Sequence, residues 1–231
     1  MLQSIIELDE QLLLLCNGVH TPWLDNFFWI VTSRSLNIFV ALPLLLILGW
    51  YIHNNPHKKK ALFDAMLVVV SLAVAVLIAD QVASSVFKPL FQRLRPSRDP
   101  DLSVILVNGY RGGRYGFVSS HAANTFAAAL FLINIFRNRF FTLAIILWAV
   151  LVSYSRIYLG VHFPGDILCG ALLGILVGIL VYRLYERVRG AMYRRLQPTS
   201  VPDSICMRGS YACYYALYIV LMFVVVAVVA L

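Results

Sequence analysis

The chain has 231 residues, of which 61% are hydrophobic and only 13% charged, with a mean hydropathy of +0.80. The charged share is about half the ~25% of a soluble domain, so the exterior is built for hydrocarbon, and nothing suggests a second, soluble domain. The net charge of +8 is read as membrane topology and attraction to anionic lipid, because no soluble basic module for nucleic acid is present.

Residues 1–20 predict an amphipathic helix lying in the membrane interface. Leu2, Ile5, Ile6, Leu8, Leu12, Leu13 and Leu15 recur at helical spacing, with Gln3, Glu7, Asp9, Glu10 and Gln11 between them. Gly18 ends it and Pro22 follows. The first 26 residues contain no Lys or Arg, so a cleavable leader with a basic start is not expected. Six membrane spans then follow, at 27–52, 62–87, 119–136, 139–158, 164–186 and 211–231. Each approaches the roughly 20 residues a helix needs to cross the hydrocarbon core. Arg137-Asn138-Arg139 makes the tight turn between the third and fourth. The expected fold is thus all-α, a polytopic membrane bundle of about six transmembrane helices with an N-terminal interfacial helix. Residues 1–186 form the working domain, with its chemistry at 88–166. Residues 187–231 form a basic cytoplasmic linker and an additional C-terminal helix.

Smaller features have plain structural readings. Gly170, Gly174 and Gly178 make a small-residue stripe for close helix packing. Tyr211, Tyr214, Tyr215 and Tyr218 read as an interfacial belt. Cys16, Cys169, Cys206 and Cys213 show no metal-binding spacing and read as buried thiols. His20, His53 and His57 read as solvated loop residues, and Asp80 as a buried hydrogen-bonded polar group.

Orientation follows from charge. Lys58, Lys59, Lys60, Arg137, Arg139, Arg183, Arg187, Arg189, Arg194, Arg195 and Arg208 all fall on one side and account for 11 of the 19 Lys and Arg residues. That side is expected to be cytoplasmic. The opposite side carries the 88–118 loop, which holds six Lys or Arg of its own. These basic residues break the charge rule and therefore need another purpose.

The purpose lies in three segments that this topology brings to one membrane surface. Lys88 and Arg95-Pro96 open the loop, Val118-Ser119-Ser120-His121 closes it, and Ser155-Arg156 precedes His162 and Asp166. Ionisable groups at membrane depth are costly and are read as functional. A phosphoryl group in transfer spreads negative charge over its oxygens, and Lys88, Arg95 and Arg156 supply three fixed cations to meet it. Ser119, Ser120 and His121 stand at a helix start, where free N–H groups favour an anion. Two histidines can provide a nucleophile and an acid near neutral pH. Asp166, four residues after His162, can hold one ring nitrogen and leave the other free to attack. Arg93, Arg98, Arg111 and Arg114 face either lipid headgroups or further anionic groups of a substrate. Gly109, Gly112, Gly113 and Gly116 give the loop freedom either to close over a headgroup or simply to move.

The three segments, in this order and with hydrophobic spans between them, resemble the signatures of the type-2 phosphatidic acid phosphatase superfamily. Lys88, six residues, Arg95-Pro96 matches the first. Ser119-x-His121 matches most of the second. Ser155-Arg156, five residues, His162, three residues, Asp166 matches the third. The likeness spans residues 62–186. It implies catalytic roles for His162 as the phosphohistidine, Asp166 as its orienter and His121 as acid then base. It implies that Lys88, Arg95, Ser119, Ser120 and Arg156 bind the phosphate, with no metal and no cofactor. The second signature departs from the family's usual Pro-Ser-Gly-His, since Ser120 stands at the glycine, and this weakens the expectation for Ser120 more than for Ser119.

The implied activity is an integral membrane lipid phosphatase acting at the extracytoplasmic face of a bacterial inner membrane. Its partners would be membrane lipids and a phospholipid or isoprenoid phosphate. Undecaprenyl diphosphate, phosphatidylglycerol phosphate, phosphatidic acid and lipid A phosphate all fit. The alternatives are a non-catalytic transporter or anion-binding protein, and a lipid phosphotransferase using the same residues. No motif encodes an oligomeric state.

Overall fold

The computed structural model describes residues 2–196 and 209–231. Cys206 and Arg208 lie outside the described residues. The described chain is helical, in the order α1 (Leu2–Asn17), α2 (Pro22–Val31), α3 (Arg34–Asn54), α4 (Lys58–Gln81), α5 (Lys88–Phe91), α6 (Ser120–Phe136), α7 (Arg139–Tyr158), α8 (Pro164–Leu196) and α9 (Gly209–Val229). Five helical segments are long and apolar enough to cross a membrane: Ser35–Asn54, Lys58–Phe91, Arg139–Tyr158, Pro164–Arg194 and Tyr211–Val229. Ser120–Phe136 is a shorter apolar helix of 17 residues, about 25 Å long at 1.5 Å per residue. The expected bundle of about six spans is therefore present, with its apolar side chains turned outward. Ile38, Leu46, Leu77, Leu143, Leu168, Leu176 and Val225 are all exposed, as lipid-facing positions should be.

The first expected span is split. The expected span 27–52 contains the polar stretch Thr32-Ser33-Arg34-Ser35, and there α2 stops at Val31 and α3 starts at Arg34. Ser33 accepts a hydrogen bond from the Leu36 N–H at 3.2 Å, so a serine cap restarts the helix in mid-run. The fifth span is longer than expected and continues to Leu196. Its extension is held to α4 by a buried carboxylate. Asp64 receives hydrogen bonds from the Tyr193 hydroxyl and, at 3.3 Å, from Tyr51, with the Arg189 Nε 3.5 Å away.

Packing of α6 on α8 is the most extensive in the bundle. The glycine stripe makes it possible. A Cβ at Gly170 would fall 2.6 Å from the Ser119 carbonyl oxygen and one at Gly178 2.7 Å from that of Ala127, while one at Gly174 would collide with the Ala123 carbonyl. The α6 face that meets these glycines is itself lined with Ala122, Ala123 and Ala127. The two backbones thus approach more closely than ordinary side chains allow.

The C-terminal helix belongs to the same bundle. The Trp23 indole N–H donates to the Ala227 carbonyl at 2.8 Å, and the Tyr215 hydroxyl donates to the Val40 carbonyl at 2.5 Å. Tyr215 is fully buried against Phe136 and Phe141, so it leaves the expected interfacial belt for the core. Tyr214 stays exposed. Cys16, Cys169 and Cys213 are unpaired and half-buried. His20 is no free loop residue, because its Nδ1 lies 2.6 Å from Asp25, which also accepts from the Tyr158 hydroxyl.

Candidate active site

Three local structures bring the motif residues to one end of the bundle. The first is the end of the second span. The helix of α4 runs through a π-helical segment, Val82–Phe87, into α5 without a break. Lys88 thus sits on the last turn of a continuous rod and not in a loop. After the left-handed turn at Gln92 the chain becomes extended. Leu94 bridges Tyr115, the Arg95 N–H donates to the Arg114 carbonyl at 3.2 Å, and the Gly116 N–H donates to the Arg93 carbonyl at 2.9 Å. In an extended segment alternate residues share a face, so Arg93 and Arg95 both turn toward the bundle.

The second structure is the start of α6. Ser119 is its N-cap. It accepts from the Ala122 N–H at 3.5 Å and gives its own N–H to the Asp166 carbonyl at 3.0 Å. Ser119 is fully buried and ties the start of α6 to the start of α8. The sequence favours Ser119 over Ser120 as an anion ligand; in the structure Ser119 caps α6, and Ser120 is the serine beside Lys88. Ser120 Oγ accepts from Lys88 Nζ at 2.7 Å and lies 3.1 Å from Ser84 Oγ. The amides of Ser120 and His121 occupy the first helical turn, where N–H groups have no intrahelical acceptor.

The third structure is the reversal between α7 and α8. The Leu159 N–H donates to Ser155, that of Gly160 to Ile157 and that of Val161 to Arg156, at 2.9, 2.9 and 3.1 Å. Gly160 takes a φ of +66°, a left-handed conformation that suits glycine. Pro164 then opens α8. This short turn places His162 at the mouth with Asp166 one helical turn below. The His162 Nδ1 lies 3.2 Å from Asp166 Oδ2, and the Phe163 N–H donates to the same oxygen at 3.1 Å. Both side chains are buried. Gly116 packs directly above them, since a Cβ there would lie 2.8 Å from Asp166 Oδ2.

The cations surround this pair. Arg95 Nε donates to the Tyr115 carbonyl at 3.1 Å, with Nη1 3.4 Å from the Val161 carbonyl. Burial, and then the neighbouring Arg156 charge, push the Arg95 pKa down to about 10, which leaves it protonated at neutral pH. Arg156 donates to Thr32 Oγ1 at 2.7 Å and to the Tyr110 hydroxyl at 3.4 Å. His121 lies within electrostatic reach of Arg156, His162, Arg95 and Lys88. Burial is the main cause that holds the His162 pKa well below the usual histidine range, followed by the Arg95, Arg156 and Lys88 charges. Its imidazole is consequently neutral at neutral pH.

Two residues complete the site that sequence reasoning did not single out. By sequence Arg93 is one of four arginines that face either lipid headgroups or substrate, and Asp9 belongs to the polar face of the N-terminal helix. Arg93 spans two carboxylates, with Nη1 3.1 Å from Asp166 Oδ1 and Nη2 2.7 Å from Asp9 Oδ2. Its guanidinium stacks 3.9 Å from the Phe163 ring centroid. Asp9 also accepts the Gly165 N–H at 2.7 Å. The two-residue interval between Arg93 and Arg95 was the available signal. Arg98, Arg111 and Arg114 stay exposed at the rim.

Comparison with known proteins gives the family. The family model of the PAP2 superfamily matches residues 64–189. A lipid A 4'-phosphatase of Porphyromonas gingivalis is 42% identical over 81% of this chain and 77% of its own length. One from Bacteroides thetaiotaomicron is 43% identical over 75% of each chain. The crystal structure of Aquifex aeolicus LpxE superposes with a TM-score of 0.54 at 27% identity, covering 75% of this chain and 93% of that one. The chain belongs to the PAP2 superfamily.

Proposed function

We propose that this chain, a membrane lipid phosphatase of the PAP2 superfamily, removes a phosphate monoester from an acylated sugar lipid through a phosphohistidine at His162. The observation that carries the reading is the buried His162–Asp166 pair at 3.2 Å beneath Lys88, Arg95 and Arg156. The substrate class follows from the two lipid A 4'-phosphatases that align over three quarters or more of this chain.

The chemistry proceeds in two displacements. Asp166 holds Nδ1–H of His162, so Nε2 carries the lone pair and attacks phosphorus. The bond between phosphorus and the sugar oxygen breaks, and that oxygen takes a proton from His121. Lys88, Arg95, Arg156, the Ser120 hydroxyl and the first-turn amides of α6 hold the equatorial oxygens as charge builds on them. In the second step His121 takes a proton from water, the hydroxide attacks phosphorus, and the P–N bond breaks. Inorganic phosphate leaves and His162 returns to its neutral form. Ser119 serves by capping α6 so that the amides point inward.

The site works at the extracytoplasmic face of a bacterial inner membrane; the basic residues of the opposite end, Lys58 to Lys60, Arg137, Arg139 and Arg187, support a cytoplasmic position for that end. Residues 1–186 carry the chemistry, and 187–231 add an anchoring extension and the packed helix α9. The test uses purified protein and a lipid phosphate labelled with ³²P. Rapid acid-free quenching is expected to trap label on His162, His162→Ala is expected to release no phosphate, and His121→Ala to accumulate the labelled enzyme. Turnover by His162→Ala at the wild-type rate would sink the mechanism.

A further inference from the structure

A cavity of about 500 Å³ leads from the site into the bundle between α3, α4 and α6. Ser120 and His121 stand at its mouth, and Leu44, Leu72 and Val76 line it further in. Such a channel suits an alkyl chain hanging from a phosphate held at His121. Its walls nevertheless carry polar groups that an alkyl chain leaves unmatched. Asp80 is one helical turn inward of Ser84 on the same rod, and Asn124 is one turn inward of Ser120 on α6. The Asn124 Nδ2 donates to Asp80 Oδ1 at 3.1 Å, which turns away the amide oxygen, and that Oδ1 is buried without a partner. On the α3 wall Asn37 donates to the Ser33 carbonyl at 3.0 Å, and its Oδ1 is likewise buried and unpartnered. The indole N–H of Trp148, another lining residue, is buried without a partner as well.

Unmatched polar groups at membrane depth are expensive, and here three of them share one cavity with a carboxylate. Asp80 and Asn124 lie about one helical pitch, ~5 Å, below Ser84 and Ser120. That depth corresponds to the linkage between a sugar and its acyl chain and the first few carbons of the chain. An amide N–H or a hydroxyl at that place would donate to Asn124, Asn37 or Asp80, whereas Trp148, eight residues inward of Arg156 on α7, lies deeper along the chain's path. A diacylglycerol or an isoprenoid offers no donor there.

We propose that Asp80, Asn124 and Asn37 form a specificity subsite that selects a lipid phosphate whose acyl chain is amide-linked or hydroxylated close to the phosphate-bearing sugar. The subsite rests on the phosphatase reading above, because it takes its register from a phosphate at Ser120 and His121. A site built to hydrogen-bond a substrate group rejects the analogue that lacks it much more strongly than an apolar pocket rejects a change of size.

The experiment compares two synthetic glucosamine phosphate lipids of equal chain length, one with an N-linked 3-hydroxyacyl chain and one with an ester-linked chain lacking the hydroxyl. Full-length protein in detergent is expected to show a kcat/KM at least about tenfold higher for the first. Asn124→Leu and Asn37→Leu are each expected to bring the two substrates within about threefold, chiefly by lowering the rate on the first. Equal turnover of both lipids by the wild-type protein overturns the subsite without any variant, and so does an equal loss on both lipids in a variant that elutes and melts like wild type. Failure of the wild-type protein to release phosphate from either lipid would instead overturn the phosphatase reading.

Discussion

Arg93→Ala provides a stringent test of how the site is assembled. In the structure Arg93 touches neither nucleophile nor phosphate ligands, but it holds Asp166 Oδ1 at 3.1 Å while Oδ2 faces His162. Truncating one partner of a buried ion pair costs about 3–5 kcal/mol. Two features reduce that here: Asp166 keeps the Phe163 N–H at 3.1 Å, and the Arg93 side chain is 28% exposed. A loss near 2 kcal/mol, about one charged hydrogen bond, corresponds to roughly 30-fold in rate. The loss should appear in kcat, with KM for the lipid phosphate unchanged within about threefold, because the residue positions the nucleophile and does not bind substrate. Asp9→Asn should cost less, about fivefold or ~1 kcal/mol, since it weakens a partly exposed pair. The double variant should lose much less than the product of the two, because Asp9 acts through Arg93. Arg93→Lys should recover little, since an ammonium cannot span two carboxylates or stack on Phe163. Steady-state kinetics in detergent, with melting curves to check folding, measure all of this. An Arg93→Ala enzyme within threefold of wild type, or fully multiplicative losses in the double variant, would refute the coupling of α1 to the nucleophile.

Three other outcomes follow from the same geometry. Attack requires neutral His162, whose pKa is held below its ordinary value near 6.5; the acid limb of kcat/KM should therefore lie below pH ~6.5, once the substrate's own phosphate ionisation is measured separately. Removing a neighbouring cation with Arg95→Gln should move that limb upward, and a limb at or above pH 7 in the wild type would contradict the electrostatics. Gly174→Ala should destabilise the fold by about 1–3 kcal/mol, seen as a lower melting midpoint, because its Cβ meets the Ala123 carbonyl; an unchanged midpoint would show that α6 and α8 can separate freely. Excess EDTA should leave activity within about twofold, because Lys88, Arg95 and Arg156 already supply the positive charge; complete loss restored by a divalent metal would mean that these residues do not suffice.

The reaction depends on shape as much as on residue type. Asp166 serves His162 through Oδ2, Arg93 through Oδ1 and the α6 cap through its main-chain carbonyl. One residue thus links α8 with His162, with Arg93 of the segment that follows α5 and, through Arg93, with α1. That linkage gives the N-terminal helix a place in the active end of the bundle, beyond any role at the membrane surface.

Composition and local pattern suffice for the helical class and the membrane, and they single out the ionisable residues at the helix ends. Lipid demands long apolar helices, and costly ions at their ends stand out against that background. Spacing alone puts His162 one turn from Asp166, because the helix pitch is a local property. Hydropathy averaged over the ~20 residues of a span dilutes a short polar stretch such as Thr32-Ser33-Arg34-Ser35, so reading 27–52 as one span passes over the Ser33 restart between α2 and α3. Nor can hydropathy rank neighbours in space. Whether Ser119 binds an anion or caps a helix depends on the Asp166 carbonyl, 47 positions away along the chain. Whether Asp9 faces water or Arg93, and whether Tyr215 joins a belt or the core, depends on which helices touch. Those contacts are long-range, set by the close approach of α6 to the glycine face of α8 and by the docking of α1 and α9, and only the folded chain decides them.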